Sequence, residues 1–342
     1  VYGGGITLDF SANTNPLGTP PDVLEAVCRA LPRLHRYPDP YCRRLVQAIA
    51  GHEQVPASYI LCGNGAADLI YTYCAALRPR TAVELAPTFV EYGAGLAQVG
   101  CRVERYFLHQ AQNFDLDERF LSFLEEKKPE VVFLCNPNNP TGRLIPLPLL
   151  EQILQYCAAQ GTRLFLDECF LDLTEDGVSA RSLLAAHPEL LILKAFTKSY
   201  GMAGIRLGYC LCADSALLHD MAAASPPWNV SSLAQSAGVA ALAEWDFLQR
   251  TLSLVRTERR WLTDNLTALG FWVCPSHANY LLFRGPLGLR EGLLQQGIAI
   301  RGCGNYNGLG DGWYRIAVRP HGENEALITA IRQFCKEKAL WQ

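Results

Sequence analysis

The sequence predicts an α/β fold in which a large domain, a mostly parallel sheet covered by helices, stands beside a smaller α+β domain. Three observations predict it. From residue 81 onwards, short apolar runs alternate with longer amphipathic stretches, the rhythm that builds parallel sheets from strand–helix units. The strand candidates are apolar throughout, as in Val131-Val132-Phe133-Leu134-Cys135, so both faces of the sheet are expected to be buried. Beyond Gly270 the apolar runs shorten and their spacing changes, which marks a second architecture.

The bulk numbers agree. The chain has 342 residues, 49% hydrophobic and 18% charged, as expected of a soluble protein with one large or two moderate domains. Its formal net charge is -3. With no basic block to grip phosphate backbones, nucleic acid is not an expected partner. No apolar run approaches the ~20 residues needed to span a bilayer, so no membrane partner is expected either. Val1-Tyr2-Gly3-Gly4-Gly5 carries no signal-peptide pattern. Thirteen cysteines, scattered and without framework spacing, are expected to be reduced thiols in a cytoplasmic protein. Cys210 and Cys212 share a strand face, but no second pair or nearby histidine completes a zinc site, so no metal is expected.

Taken in order, residues 8–18 are Asn-rich, end in Pro and Gly, and read as irregular. A helix is predicted at 21–31, with Leu24, Val27, Cys28 and Leu31 on one stripe. Arg36-Tyr37-Pro38-Asp39-Pro40 is a rigid turn before a helix at 41–51. A strand at 59–62 runs into Gly63-Asn64-Gly65, and 66–77 is amphipathic helix. A glycine-bracketed loop opening a helix presents free N–H groups that suit a phosphate, although such turns are common in α/β folds. Strand 81–85, helix 89–99, strand 102–108, helix 116–127, strand 131–135, helix 147–160 and strand 163–166 follow. A strand at 190–193 leads to Phe196-Thr197-Lys198-Ser199-Tyr200-Gly201, and a second apolar run spans 205–211. A loop at 226–231 precedes helices at 232–244 and 245–269. The last part reads as strands 271–273, 280–283, 298–300 and 314–318 with helices 289–296 and 323–338. Residues 37–244 are assigned to the large domain, 1–36 and 245–342 to the small one.

In open α/β sheets a ligand sits beyond the carboxyl ends of the strands. The loop at 63–65, the motif at 136–142, Asp167 and Lys198 all fall there. Lys198, in a small-residue loop, is either an ordinary loop lysine or a desolvated amine that forms an imine with a carbonyl cofactor. The second use requires burial and nearby cations to depress its pKa, and Arg206 is available. In Asn136-Pro137-Asn138-Asn139-Pro140-Thr141-Gly142 two prolines freeze the backbone and hold the Asn139 amide at a strand end. A lone carboxylate at the end of a buried strand is costly unless a cation meets it. For Asp167 the choices are a protonated pyridine nitrogen, a structural ion pair or a helix cap.

Asn139, Asp167, Lys198 and Arg206, in that order and spacing, resemble the fold-type I enzymes dependent on pyridoxal 5′-phosphate, within the class I/II aminotransferases. The resemblance covers essentially the whole chain. It implies that Lys198 forms the Schiff base, that Asp167 holds the pyridinium, and that Asn139 hydrogen-bonds the ring hydroxyl. Arg206 and Thr197 match phosphate ligands, helped by backbone N–H groups around Gly65 and Ala66. Tyr92 matches the aromatic that stacks on the ring. Tyr37 matches a residue reaching the neighbouring subunit's cofactor phosphate, which implies a homodimer. Two positions depart from the pattern. Ala195 stands where a hydroxyl residue is usual, and Phe170 where many relatives have tyrosine; losing that donor implies an imine proton held to higher pH.

Two subgroups of the family fit, both acting on small phosphorylated amines or amino acids. The segments Asp9-Phe10-Ser11-Ala12-Asn13-Thr14-Asn15-Pro16-Leu17-Gly18 and Pro226-Pro227-Trp228-Asn229-Val230 are similar to the threonine-phosphate decarboxylases. So are the segments 300–310 and Tyr314-Arg315-Ile316-Ala317-Val318-Arg319. This implies a lyase that converts L-threonine O-3-phosphate to (R)-1-aminopropan-2-yl phosphate, the linker of cobalamin. Asn13, Asn139, Arg301 and Arg315 would contact substrate. A His-Gly-Gly stretch also helps in that subgroup, and no histidine precedes Asp9 here. Arginine grips carboxylate and phosphate by paired hydrogen bonds, as such a substrate requires. Which bond at Cα breaks depends on angles, so histidinol-phosphate aminotransferase, or a related class I/II aminotransferase, is the alternative.

Overall fold

A computed structural model of the chain describes residues 5–338; Val1-Tyr2-Gly3-Gly4 and the last four residues lie outside them. A two-residue strand, β1 (Leu8–Asp9), comes first. The central sheet follows with β2 (Ile60–Gly63), β3 (Thr81–Ala86), β4 (Arg102–Phe107), β5 (Val131–Cys135), β6 (Arg163–Asp167), β7 (Leu190–Ala195) and β8 (Gly208–Cys212), in the order β2-β8-β7-β6-β5-β3-β4. All neighbours from β7 to β4 are parallel, and β8 runs antiparallel to both β7 and β2.

Successive strand residues enter different cores, as a pleated strand requires. Val132, Leu134, Leu164 and Leu166 join one apolar cluster; Val131, Phe133 and Phe165 join the other. The covering helices are α1 (Pro21–Ala30), α2 (Arg43–Glu53), α3 (Ala66–Leu77), α4 (Glu91–Gln98), α5 (Arg119–Lys127), α6 (Leu147–Gln160), the single turn α7 (Phe196–Ser199), α8 (Ser215–Ala224) and α9 (Ser232–Ala241). The 24-residue α10 (Trp245–Ala268) leads to the second sheet. There β9 (Trp272–Val273), β10 (Tyr280–Arg284), α11 (Leu289–Gln295), β11 (Ile298–Ala299), β12 (Arg301–Gly302), β13 (Trp313–Ala317) and α12 (His321–Glu337) follow one another. The antiparallel order is β12-β13-β10-β9. A third cluster gathers Phe10, Leu262, Leu281, Ile316 and Ile331.

Four expectations change. Residues 8–18 are not wholly irregular, because β1 pairs in parallel with β11. The predicted strand at 298–300 divides into β11 and β12 on different partners. Helix α8 is new; Asp214 caps it, its carboxylate accepting from the amides of Ala216 and Leu217. Finally, α1 buries Val23 and Ala30, while Leu24 and Leu31 of the predicted stripe are 54% and 45% exposed.

Candidate active site

Three parallel strands end side by side, and each end carries one candidate. Cys135 is in register with Asp167, and Asp167 with Leu193. β5 therefore delivers the Asn139 loop, β6 delivers Asp167, and β7 runs into α7 with Lys198. A cavity of about 150 Å³ lies over these ends, and Phe89, Asn139, Asp167, Cys169, Lys198 and Arg206 are among its walls.

Asp167 is 5% exposed. One carboxylate oxygen accepts from the Cys169 amide at 2.9 Å and the other from the Tyr92 hydroxyl at 2.6 Å. Burial pushes this carboxyl up, against those hydrogen bonds and the Lys198 charge. A buried carboxylate so placed is completed by a cation in the cavity. Tyr92 is thus not a stacking wall, which corrects the sequence expectation. It is wholly buried, packed against Phe133 and Phe165, with its hydroxyl committed to Asp167. Phe89, three residues earlier, lines the cavity instead. Cys169 lines it too; it stands in the turn just past β6, where its amide donates to Asp167. Nothing in a single sequence separates Phe89 from Tyr92, and the turn that carries Cys169 into the cavity has no strand spacing to reveal it.

Lys198 lies with its ammonium nitrogen 5.2 Å from the centre of the Phe170 ring. Burial, chiefly, and the nearby Arg315 and Arg206 pull its pKa down to about 8, although Cys169 and Asp167 oppose them. Roughly a tenth of such amines are neutral at pH 7, against one in a few thousand for an ordinary lysine.

The end of the cavity toward α3 suits an anion. Gly65 precedes α3 with a φ of 89° and supplies no side-chain cap. A Cβ there would stand 2.6 Å from Arg206 Nη2, and one at Gly208 would stand 2.8 Å from the Ala66 nitrogen. The bare cradle so formed offers helix N-terminal amides, a guanidinium and the Thr197 hydroxyl, a donor set that fits a phosphate. Ala195 lines the cavity without a hydroxyl, and Phe170 without a phenol.

On the other side, Arg315 is 7% exposed and donates from Nη1 to Asn139 Oδ1 at 2.5 Å and from Nη2 to the Ser11 carbonyl at 2.9 Å. Its Nε has no partner, nor does either polar side-chain atom of the buried Asn13. Buried polar groups are normally paired, so these mark where a bound molecule or water belongs. Arg301 is not brought in. Its Cα faces that of Arg315 across β12 and β13, but its guanidinium donates to Asn305 and lines a separate cavity of about 550 Å³. Tyr37 is 82% exposed, its ring tilted against that of Trp228 at 5.0 Å beside another cavity of about 530 Å³, and is not part of its own chain's pocket. Among the described residues no cluster of three or more His, Cys, Asp or Glu is set to hold a metal, and no helix is long and apolar enough to cross a membrane.

A doubly covered, mostly parallel sheet with a lysine, a buried carboxylate and a phosphate cradle at its strand ends defines a fold-type I pyridoxal phosphate enzyme. The chain belongs to the aminotransferase class I and II family, whose model matches residues 6–334. It is 41% identical to the threonine-phosphate decarboxylase of Salmonella typhimurium, over 95% of this chain and 90% of that one. The histidinol-phosphate aminotransferase of Clostridium acetobutylicum superposes with a TM-score of 0.90 at 28% identity, covering 96% of this chain and 99% of the other. The L-threonine-O-3-phosphate decarboxylase of Porphyromonas gingivalis gives 0.85 at 26%, with the same coverage.

Proposed function

We propose that the chain decarboxylates L-threonine O-3-phosphate to (R)-1-aminopropan-2-yl phosphate, a step of cobalamin biosynthesis, using pyridoxal phosphate held on Lys198. The choice of reaction is carried by the 41% identity to the Salmonella decarboxylase across 95% of the chain.

When bound, the cofactor supplies a protonated ring able to store the electron pair left at Cα. Lys198 Nζ anchors it covalently, and the same amine, already poised near neutrality, is placed to deliver a proton to Cα after CO₂ departs. Asp167, whose charged form is favoured by the hydrogen bonds from Tyr92 and Cys169, would hold the proton on the ring nitrogen. Asn139 spends its Oδ1 on Arg315, which leaves its Nδ2 to donate to the ring oxygen. Gly65, Ala66, Thr197 and Arg206 take the cofactor phosphate. Arg315 and Asn13, with unpartnered buried atoms, take the substrate's anionic groups; Arg301 reaches them only by leaving Asn305.

The homodimer implied by Tyr37 belongs to this proposal. Leu24, Leu34, Tyr37 and Trp228 are 54%, 57%, 82% and 47% exposed, and Tyr37 lies against Trp228; exposed apolar side chains of this kind suit a second copy. A cytoplasmic location, and a division into 37–244 against 1–36 with 245–342, complete it; Phe10 packing among small-sheet residues supports the division. The test supplies threonine phosphate and measures CO₂ and the phosphorylated amine. Glutamate formed from histidinol phosphate and 2-oxoglutarate, with no CO₂ from threonine phosphate, would replace the decarboxylase reading with the aminotransferase one.

A further inference from the structure

A second lysine, four residues before Lys198, is treated in the opposite way. Lys194 on β7 is 4% exposed, and its ammonium lies 2.7 Å from Asp172 Oδ1 and 3.3 Å from Glu53 Oε1. Burial opposes its charge, but Asp172, Glu53 and Glu168 outweigh that and hold it protonated well above the usual lysine range. Glu53 also accepts from Arg181 and from the Tyr209 hydroxyl. The mechanism proposed above uses none of these groups.

Ser199 links this network to Lys198. Asp172 gives Oδ1 to Lys194 and Oδ2 to Ser199 Oγ, the latter at 2.9 Å. From the other side the Asn15 amide donates to the Ser199 carbonyl at 2.7 Å, and to Thr251 Oγ1 at 2.9 Å. Ser199 and Asn15 are each 1% exposed. α7 needs such support, because it is a single four-residue turn whose N-cap, Ala195, supplies no side-chain hydrogen bond. An isolated turn does not hold itself in water. The residue directly after the reactive lysine is therefore tied at both its hydroxyl and its carbonyl. An apolar residue there would leave the second Asp172 oxygen without that donor.

We infer that Ser199, clamped between Asp172 and Asn15, is a positioning residue that aims the Lys198 side chain into the cofactor cavity. The inference rests on the role proposed for Lys198. The charged and titratable groups facing that amine are Asp167, Cys169, Arg206 and Arg315; the clamp contributes direction, not charge.

The experiment compares apo wild type with Ser199→Ala, Ser199→Thr and Asn15→Ala. One readout is the rate of pyridoxal phosphate attachment, followed by visible absorbance. The other is the pH midpoint for modification of Lys198 by a small amine-directed reagent, located by peptide mass spectrometry. Ser199→Ala is expected to slow attachment by about tenfold, the effect of one lost buried hydrogen bond. It also moves the midpoint up from about 8 toward the ordinary lysine value, because the released amine reaches water. Ser199→Thr keeps the hydroxyl and stays close to wild type; Asn15→Ala follows Ser199→Ala and replaces it should that variant not fold. Wild-type rate and midpoint in both alanine variants overturn the inference, as does a threonine variant as slow as Ser199→Ala. If wild type itself attaches nothing at Lys198, the cofactor reading fails first and this inference with it.

Discussion

Arg315 Nη1 donates to Asn139 Oδ1 at 2.5 Å, so a single bond joins strand β13 of the smaller sheet to the loop after β5. It orients the Asn139 amide, and it brings a second cation, beside Arg206, against Lys198. The Asn139 amide and the amine Lys198 thus both answer to a residue more than a hundred positions away in sequence.

Arg315→Met removes the anion grip and that cation together. The kcat/KM for threonine phosphate should fall by roughly 30- to 4000-fold, the range of about 2–5 kcal/mol for truncating a buried charged hydrogen bond. The pH midpoint of Lys198 should rise above about 8, because a neighbouring positive charge that disfavours its protonation is gone. Steady-state kinetics and a pH titration of Lys198 modification check the two effects.

Tyr92→Phe keeps the aromatic packing and deletes only the donor to Asp167. The carboxyl, already pushed up by burial, rises further, and cofactor affinity should drop by about 1–3 kcal/mol, the desolvation cost of a buried acceptor left short of a donor. Titration of apo protein with pyridoxal phosphate measures it. Phe89→Ala should weaken the same affinity by opening a cavity wall, without disturbing Asp167.

Gly65→Ala places a methyl 2.6 Å from Arg206 Nη2 in a backbone with φ of 89°. A positive φ with a ψ of 165° is a region almost confined to glycine and alone costs another residue roughly 1–3 kcal/mol, and the methyl fills the phosphate cradle. Pyridoxal phosphate affinity should fall by at least about tenfold, whereas pyridoxal without its phosphate should lose much less. Parallel titrations with the two compounds separate loss of the cradle from general damage.

Acid should unfold the protein through the network beneath α7. Burial pushes Glu53 up, but Lys194, Tyr209 and Arg181 outweigh it and hold it at about 2 instead of 4.5. A carboxylate depressed in the folded state stabilises it above its unfolded pKa, and that stability is lost as pH falls through the folded value. Thermal midpoints should therefore decline from about pH 5 to pH 2, and a Glu53→Gln variant should show a shallower decline over that window.

Much of this was legible in the sequence, for identifiable reasons. Apolar runs as short and branched as 131–135 and 190–193 read as buried strands, and both are, so the sheet and its carboxyl ends followed, and with them the placement of Asn139, Asp167 and Lys198 at those ends. Helix α3 appeared at its predicted bounds because Gly65 and the αL residue Arg78 punctuate it. What was hidden depends on partners distant in the chain. Tyr92 and Phe89 are two aromatics of one short segment, and only the position of Asp167 decides which lines the cavity. The apolar stripe of α1 misled because an exposed apolar face, such as that of Leu24 and Leu31, has the same periodicity as a core face. Arg301 sits opposite Arg315 by register, yet its rotamer turns to Asn305, and side-chain direction is not written in strand spacing. The Ser199 clamp required Asp172 and Asn15, which no local pattern connects.

The most direct test of the central claim is to reduce the pyridoxal phosphate-loaded protein with borohydride and map the labelled peptide by mass spectrometry. Loss of the visible band with the pyridoxyl group on Lys198, and neither band nor label in Lys198→Ala, is the predicted result. A label on Lys194 or any other lysine, or a visible band that survives in Lys198→Ala, would contradict the account.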